Sequence, residues 1–287
     1  MNVTRRLVVA AALLRCLSTS GSRKLVLPRE SSVVWLKASD VAACIGKNQY
    51  KPRGEILAEM HKRYNAETFT GQTKLDVALE AVERLPEMER RMLLQAASMQ
   101  LTKAAEVKAV LGEVSETIKQ SSKVSEKDKE AVVSLLTGTM QTNLGTRTED
   151  LIVKSVEIEQ RVKMERSQDM YSLPLVRVGS TQYAVRGKID RLQQEGDETI
   201  LIEIKSRVNK LFRKLRDYEE VQVQTYLQML PSEMGVKRAR LIEQFETQSH
   251  SLELVKDDAL WQGEILPGLV GFCQELDAAM RGAGAAR

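Results

Sequence analysis

The sequence predicts an α/β fold in which a mixed β-sheet is flanked by helices and carries a helical insertion. After a strand-like segment at 170–178, two runs, 183–190 and 198–205, show the two-residue alternation and the β-branched content of strands. Segments 142–160 and 217–229 have helical character and lie on either side of these runs. Residues 75–140 are rich in Ala, Leu, Glu, Met and Lys and contain no strand-like run. The 287 residues are 43% hydrophobic, so the chain can bury a sizeable core.

Residues 1–25 differ from the rest of the chain in composition. They contain arginines, among them Arg15 and Arg23, no acidic residue, and a run of alanine, leucine and serine, which is typical of a mitochondrial transit peptide. The apolar run 7–14 is too short to span a bilayer, which takes about 20 residues. A secretory signal is the alternative, and Arg15 and Arg23 count against it. We therefore expect a mitochondrial matrix protein without a membrane span.

The net charge and the few cysteines and histidines limit which kinds of binding site the sequence can form. The formal net charge is only +4, so any basic surface for nucleic acid must be local. The three cysteines lack metal-site spacing, and the two histidines, His61 and His250, lie far apart in the chain. We therefore do not expect a zinc site built from thiolates and imidazoles.

Residues 33–64 are predicted to form a helical N-terminal part of the domain. Gly46 ends a short helix there, and Pro52 precedes a second helix. In the segment 75–140, apolar residues recur at helical spacing, and a polar break includes Ser125, a residue type that caps helices. We expect this segment to form a helical subdomain or a surface for a protein partner.

A helix start is predicted just after Gly145. Thr148, Glu149 and Asp150 follow this glycine, which places acidic side chains in a first turn, where the helix dipole favours them. Taken alone, Glu149 is most simply interpreted as a capping acid.

Three elements are predicted after the second strand-like run. A helix at 217–229 carries Gln222 and Tyr226 four residues apart, so these side chains share one face. A further strand is expected at 236–246 and an amphipathic C-terminal helix at 258–281.

The two strand-like runs are joined by a turn at 194–197 and bring acidic residues together. Side chains alternate along a strand, so Glu203 and Lys205 share one face and the isoleucines between 200 and 204 share the other. If the runs pair as a hairpin, Asp190 near the end of the first comes close to Glu203. Two adjacent carboxylates repel each other unless a positive charge lies between them, and a hard divalent cation is the usual partner.

These residues resemble the motifs of the PD-(D/E)XK nuclease superfamily. The motifs occur in order as a helix with G-x-x-x-E, a strand with G-x-x-D, a strand with E-x-K and a helix with Q-x-x-x-Y: Gly145 to Glu149, Gly187 to Asp190, Glu203 to Lys205, and Gln222 to Tyr226. Their spacing is similar to the branch of lambda-type exonucleases and YqaJ-type viral recombinases. No proline precedes Asp190, which is a departure from the name of the family. The resemblance implies a restriction-endonuclease-like core at 141–250, preceded by the N-terminal part and by the insertion 75–140.

The resemblance also implies roles for these side chains. Asp190, Glu203 and the backbone carbonyl of Ile204 supply oxygens to Mg²⁺ or Mn²⁺, and Glu149 holds the same ion or a second one. Lys205 is placed to orient or deprotonate the attacking water and to offset charge in the transition state. The positions of the remaining two motif residues imply that they support the site or position the phosphate: Gln222 and Tyr226.

A local basic run follows the second strand. It contains no acid before Asp217 and would suit a phosphate backbone, although a solvated basic loop is the commoner interpretation. Phe212 is its only aromatic residue, which favours binding that does not depend on base sequence. The candidate nucleic-acid contacts are Arg207, Lys210, Arg213, Lys214 and Arg216.

The sequence therefore predicts a mitochondrial, metal-dependent deoxyribonuclease, acting as an exonuclease on DNA ends. Two alternatives stay open. One is a catalytically inactive nuclease-fold subunit that binds nucleic acid or scaffolds a mitochondrial ribonucleoprotein, with residues 75–140 as the docking surface. The other is a nuclease that acts on RNA. A homo-oligomer is suggested only by the relatives of this branch.

Overall fold

The structure is a computed structural model that describes residues 33–167 and 169–282. The predicted transit peptide, residues 1–25, lies outside the described residues. Within the described part of the chain, no helix is both long and apolar enough to cross a membrane.

In the described part of the chain, eight strands form two mixed sheets. The first sheet has the order β1-β4-β3, and the second has the order β2-β5-β6-β7-β8. The parallel pairs are β1 with β4 and β6 with β7, and the other pairs are antiparallel. The strands are β1 Val33–Lys37, β2 Met164–Arg166, β3 Tyr171–Val178, β4 Thr181–Gly187, β5 Arg191–Glu195, β6 Glu198–Ser206, β7 Arg238–Phe245 and β8 Gln248–Val255.

Helices cover both sheets and build the insertion. A single turn at Ala38–Asp40 leads into the first of them, and two short helical turns, Asp258–Leu260 and Trp261–Ile265, lead into the last. A further turn, Ser232–Met234, precedes β7. The helices are α1 Val41–Cys44, α2 Arg53–Tyr64, α3 Lys74–Arg84, α4 Glu87–Ser98, α5 Ala104–Gln120, α6 Glu126–Gln160, α7 Asp217–Met229 and α8 Leu266–Arg281.

The predicted α/β class is confirmed, but two details of the sheet prediction were wrong. The strand predicted to hold Tyr183 to Asp190 ends at Gly187 in the first sheet, and β5 begins at Arg191 in the second, so Asp190 lies between two strands. The N-terminal part is not wholly helical either, since residues 33–37 form β1, with Val34 and Leu36 buried. Five residues are too short a run to separate a strand from a helix by periodicity alone.

The helical insertion is joined to the core by one continuous helix. Ser125 caps α6 as predicted, because its side chain accepts a hydrogen bond from the Asp128 N–H at 3.2 Å. The predicted helix start after Gly145 was wrong, since this residue lies in the middle of the 35-residue α6. A glycine inside a helix costs about 1 kcal/mol relative to alanine, which neighbouring turns and packing can outweigh. Glu149 is therefore not a capping acid.

The two faces of β6 pack against different helices. The isoleucines at 200, 202 and 204 face α6, where Ile152, Val153 and Val156 complete a small apolar cluster. Leu201 belongs to the main core, to which α7 and α8 contribute. The insertion has its own apolar core and contacts the sheet domain through Val208 and Phe245. The predicted alternation along β6 is confirmed by these contacts.

Candidate active site

Asp190 lies where the chain passes from one sheet to the other. Arg191, the first residue of β5, lies opposite Ile202, so β5 does not extend alongside the last residues of β6. The Asp190 side chain takes the place of the missing strand: its Oδ2 accepts the Ile204 N–H at 2.8 Å. This contact holds the carboxylate beside the backbone next to Glu203, as the predicted hairpin requires.

Glu203 and Lys205 lie on the α7 side of β6 and bind residues of that helix. Lys205 Nζ donates to Glu203 Oε1 at 2.7 Å and to Gln222 Oε1 at 3.0 Å. Gln222 Nε2 donates to Glu203 Oε1 at 3.0 Å and to the Tyr226 hydroxyl at 3.1 Å. The structure thus brings together four side chains that the sequence motifs selected from one strand and one helix.

A close approach at the end of β4 explains the glycine of the second motif. A Cβ atom on Gly187 would lie 2.9 Å from the Ala38 Cβ and 3.0 Å from Cε1 of the Tyr226 ring. Such separations are shorter than atomic contacts allow, so a larger residue would push Tyr226 away. Gly187 therefore allows the Tyr226 ring to pack against the end of β4.

Glu149 reaches the site from α6, on the opposite side of the sheet, and is held by a residue that the motifs did not identify. Arg191 donates through Nη1 to Glu149 Oε1 at 2.8 Å and to the Asp190 carbonyl at 2.6 Å. Its Nη2 also donates to Asp150. The Arg191 side chain is buried, so these acceptors replace the water it loses.

The strand pattern places Arg191 on the isoleucine face of the hairpin, but it does not identify the partners of Arg191. Arg191 is opposite Ile202 in the β5–β6 pair, so its side chain points to the α6 face with the isoleucines. A buried arginine on an apolar face needs carboxylates, and the nearest acids of α6, Glu149 and Asp150, precede Ile152 by less than one turn. The missing information was that α6 runs across this face.

The site concentrates negative charge in a partly dry environment. Burial raises the pKa of Asp190 well above its usual range, and the charges of Glu203 and Glu149 raise it further. Burial alone would lower the pKa of Lys205, but Glu203 and Asp190 outweigh it and the pKa is raised. Burial, followed by Glu203, also raises the pKa of Tyr226. Lys205 is therefore an ammonium at neutral pH, and Tyr226 is a neutral phenol.

The oxygen donors of the site are of the type that hard divalent cations prefer, but they are not gathered around one point. Glu203 Oε2 is buried and has no hydrogen-bond partner. The raised pKa of Asp190 shows that added positive charge would be favourable there. Across 33–167 and 169–282, however, no three His, Cys, Asp or Glu residues form a group that could hold a metal ion. Arg191 is paired with Glu149. Lys205 and Gln222 both donate hydrogen bonds to Glu203 Oε1, so this oxygen already has two partners.

The basic run divides into buried and exposed members. Arg207 pairs with two buried carboxylates, Glu219 at 2.7 Å and Glu243, so its charge is neutralised within the protein. The Arg216 guanidinium lies 3.7 Å from the centroid of the Phe212 ring. The side chains that are exposed to solvent are Lys210, Arg213 and Lys214.

A cleft of about 580 Å³ lies next to the site, between the insertion and the sheet domain. Its walls include residues 102–105 at the start of α5, Thr148 beside Glu149, and Ser206 beside Lys205. The insertion therefore borders the approach to the candidate site on the α6 side.

The fold and the acidic site define a protein of the nuclease type, and comparison with known proteins agrees. A family model described as the PD-(D/E)XK nuclease superfamily matches residues 60–268, and the chain belongs to this superfamily. This match supports the restriction-endonuclease-like fold. No curated protein matches the chain. A solved structure described as "Crystal structure of SSO0001" is 12% identical with a TM-score of 0.43, covering 97% of this chain and 88% of that chain. A similarity this low carries no argument about activity.

The raised pKa of Asp190 predicts that Asp190→Asn stabilises the metal-free protein at neutral pH. A carboxyl group with a raised folded-state pKa contributes stability below its unfolded pKa, and this contribution is lost as the pH rises through the folded pKa. Asparagine removes the unfavourable charge and can still accept the Ile204 N–H. We expect the melting temperature in EDTA at pH 7.5 to rise by several degrees, where 1 kcal/mol corresponds to about 2–4 °C. The gain should disappear towards pH 4.

The exposed Asp197, in the turn between β5 and β6, provides the control. Asp197→Asn should leave the melting temperature unchanged across the same pH range. If Asp190 belongs to a divalent-cation site, Mg²⁺ or Mn²⁺ should stabilise the wild type more than Asp190→Asn. A lower melting temperature for Asp190→Asn at pH 7.5 in EDTA would contradict the charge argument.

Proposed function

We propose that this chain is a metal-dependent nuclease that acts in mitochondria as an exonuclease on DNA ends. The observation that carries the proposal is the cluster of Asp190, Glu203, Lys205 and Gln222 at the junction of the two sheets. Membership of the nuclease superfamily supports hydrolysis of phosphodiester bonds. Assignment to the lambda-exonuclease and YqaJ branch rests on motif spacing and is part of the proposal.

Asp190, Glu203 and the Ile204 carbonyl would hold Mg²⁺ or Mn²⁺, because these are hard oxygen donors and Glu203 Oε2 has no other partner. When bound, the ion would polarise the scissile phosphate and lower the pKa of a bound water. Glu149 Oε1 accepts from Arg191, so Glu149 would join the ligands through its other oxygen, Oε2, while staying paired with a cation. Its ligand role is therefore less direct than the sequence motif suggested.

Lys205 would orient the attacking water and offset charge that develops on the phosphate. Its raised pKa keeps the proton on Nζ, so an ammonium donor is favoured over a general base. Gln222 fixes the positions of Lys205 and Glu203 by bonding to both, and Tyr226 holds the Gln222 amide from the other side. The exposed Lys210, Arg213 and Lys214 would contact phosphates, whereas Arg207 would stabilise the segment that carries them.

One comparison of substrates and metals tests the proposal. Full-length protein is incubated with 5′-labelled, 3′-labelled and circular DNA and RNA, in Mg²⁺, Mn²⁺ or EDTA. We expect metal-dependent release of nucleotides from linear DNA, no cutting of circular DNA, and weaker action on RNA. Cutting of circles would indicate an endonuclease, and preference for RNA would support the RNA-directed alternative.

Glu203→Gln should abolish this cleavage and leave binding in EDTA largely unchanged, because glutamine keeps the shape and loses the ligand charge. Glu198→Gln, at the exposed start of the same strand, is the matched control and should cleave normally. Metal-independent cleavage, or full activity of Glu203→Gln, would contradict the proposed site.

A non-cleaving subunit that binds nucleic acid is the second candidate. Two observations favour it: Glu149 is ion-paired with Arg191, and the acids of the described residues are not gathered into a metal-ligand group. Wild-type protein that binds DNA or RNA but cleaves none of the substrates, in either metal, would support this candidate. Residues 75–140 would then be tested for a protein partner and the chain for self-association.

The mitochondrial address is proposed from residues 1–25 alone. It is tested by fusing residues 1–32 to a fluorescent protein and following import into isolated mitochondria. Substituting Arg15 and Arg23 with glutamate should abolish import, whereas secretion of the fusion would support the alternative signal.

A further inference from the structure

An exposed tyrosine stands near the candidate site and is not used by the proposed chemistry. Tyr50 is 61% exposed, more than any other aromatic residue among residues 33–167 and 169–282. Its ring contacts Tyr218 edge-on, with centroids 5.8 Å apart and planes at 83°. In such a T-shaped pair the partner covers at most one face of a ring, so at least one face of Tyr50 is free of Tyr218.

The backbone around Tyr50 is held in a fixed turn. The Asn48 side-chain oxygen accepts the N–H groups of Tyr50 and Lys51 at 2.9 and 3.1 Å. The Lys51 ammonium then bonds to Asp40 at 3.3 Å and to Glu59 at 3.2 Å, on either side of the turn. The exposed ring is therefore presented by an ordered segment, which reduces the entropy lost when a ligand binds to it.

Tyr218 connects this turn to the candidate site. It lies in the first turn of α7, four residues before Gln222, and thus on the same face and about 6 Å along the axis. The basic run, which we call the basic segment (residues 205–216), ends directly before α7. Its exposed cations Arg213 and Lys214 are therefore close in sequence to Tyr218. An aromatic face, exposed cations and the acidic site therefore occur around one end of α7.

The aromatic residue of the basic segment cannot serve the same purpose. Two guanidiniums lie against the Phe212 ring, Arg216 at 3.7 Å and Arg207 at 4.6 Å from its centroid. Phe212 is thus covered by the protein itself, and Tyr50 is the ring with a free surface.

We propose that Tyr50, supported by Tyr218, is a stacking platform for an unpaired base of the nucleic-acid strand that enters the candidate active site. This inference rests on the proposed function. Every base has a π-face, so stacking fits binding that does not depend on sequence, whereas bases inside a duplex are already covered by their neighbours. The platform therefore selects a single strand.

The test measures binding without cleavage, in EDTA and in the Glu203→Gln background of the full chain. Fluorescence anisotropy is followed for a labelled single-stranded oligonucleotide and for a series in which one base at a time is replaced by an abasic site. Tyr50→Ala should weaken binding of the intact strand by about 5-fold or more, and Tyr50→Trp and Tyr50→Phe should retain it. Met88→Ala removes another exposed apolar side chain, in α4, and should have no effect.

The decisive measurement is the difference in affinity between the parent and Tyr50→Ala, which should disappear for one strand of the abasic series. If Tyr50 stacks on a base, removal of that base makes the parent and Tyr50→Ala bind equally, as a double-mutant cycle requires. Equal weakening on every abasic strand, or no weakening on the intact strand, would overturn the platform. Failure of the wild type to cleave would reject the proposed nuclease and leave this measurement intact.

Discussion

Replacing Lys205 with methionine is expected to lower the cleavage rate about 10²–10³-fold, as removal of one preorganised charged donor does in other active sites. The Lys205 ammonium bonds to Glu203 and to Gln222, and its pKa is raised by the surrounding carboxylates. Methionine has a similar length and no charge, so it removes the donor without opening a large cavity. Strand binding in EDTA should change little, because the exposed cations of the basic segment remain.

Lys205→Arg distinguishes the two roles that the sequence motif left open for Lys205, which are to orient the attacking water or to deprotonate it. Arginine keeps a positive donor but cannot accept a proton, so it should recover part of the activity if Lys205 orients water and offsets charge. Single-turnover rates with end-labelled DNA measure this recovery for the three proteins at saturating Mg²⁺. An arginine variant that is as slow as the methionine variant would favour a general base.

The parts of the site that the sequence predicted depend on local geometry. Strand alternation is enough to put Glu203 and Lys205 on one face, and helical spacing is enough to put Gln222 beside Tyr226. The turn between the strand-like runs set the hairpin register, which brought Asp190 to the Ile204 N–H. Each of these relations involves residues close in the chain or paired through one short turn.

The parts that were missed depend on contacts between distant segments. Arg191 is paired with Glu149 only because α6 crosses the isoleucine face of β6, and nothing near either residue indicates that crossing. Arg207 is a second example. The basic run predicts that Arg207 contacts phosphate, but in the structure its guanidinium pairs with Glu219 and Glu243. A charge pattern shows that partners are needed, but only tertiary packing decides which partners they are.

Glu243→Gln should have the largest effect on stability, with a cost of about 3 kcal/mol, as expected for a buried charge that loses a partner. Glu243 is fully buried on β7, opposite Lys205 in the parallel pair with β6. Its carboxylate accepts from the Arg207 side chain at 2.8 Å and from the N–H groups of Phe212 and Arg213 at 3.1 and 2.9 Å. The glutamine amide offers one acceptor oxygen in place of two, so at least one of these donors loses its partner.

Glu243→Gln should also destabilise the basic segment locally, because Glu243 bonds to the Arg207 side chain and to the backbone of Phe212 and Arg213. Amide hydrogens of Phe212 and Arg213 should exchange faster in Glu243→Gln, and the salt dependence of strand binding should become shallower as Arg213 and Lys214 lose their fixed positions. Urea unfolding gives the stability change, and Glu246→Gln, at an exposed position in the next turn of the chain, is the control. A Glu243→Gln protein with unchanged exchange at Phe212 and Arg213 would show that the segment is held by Arg207 and Glu219 instead.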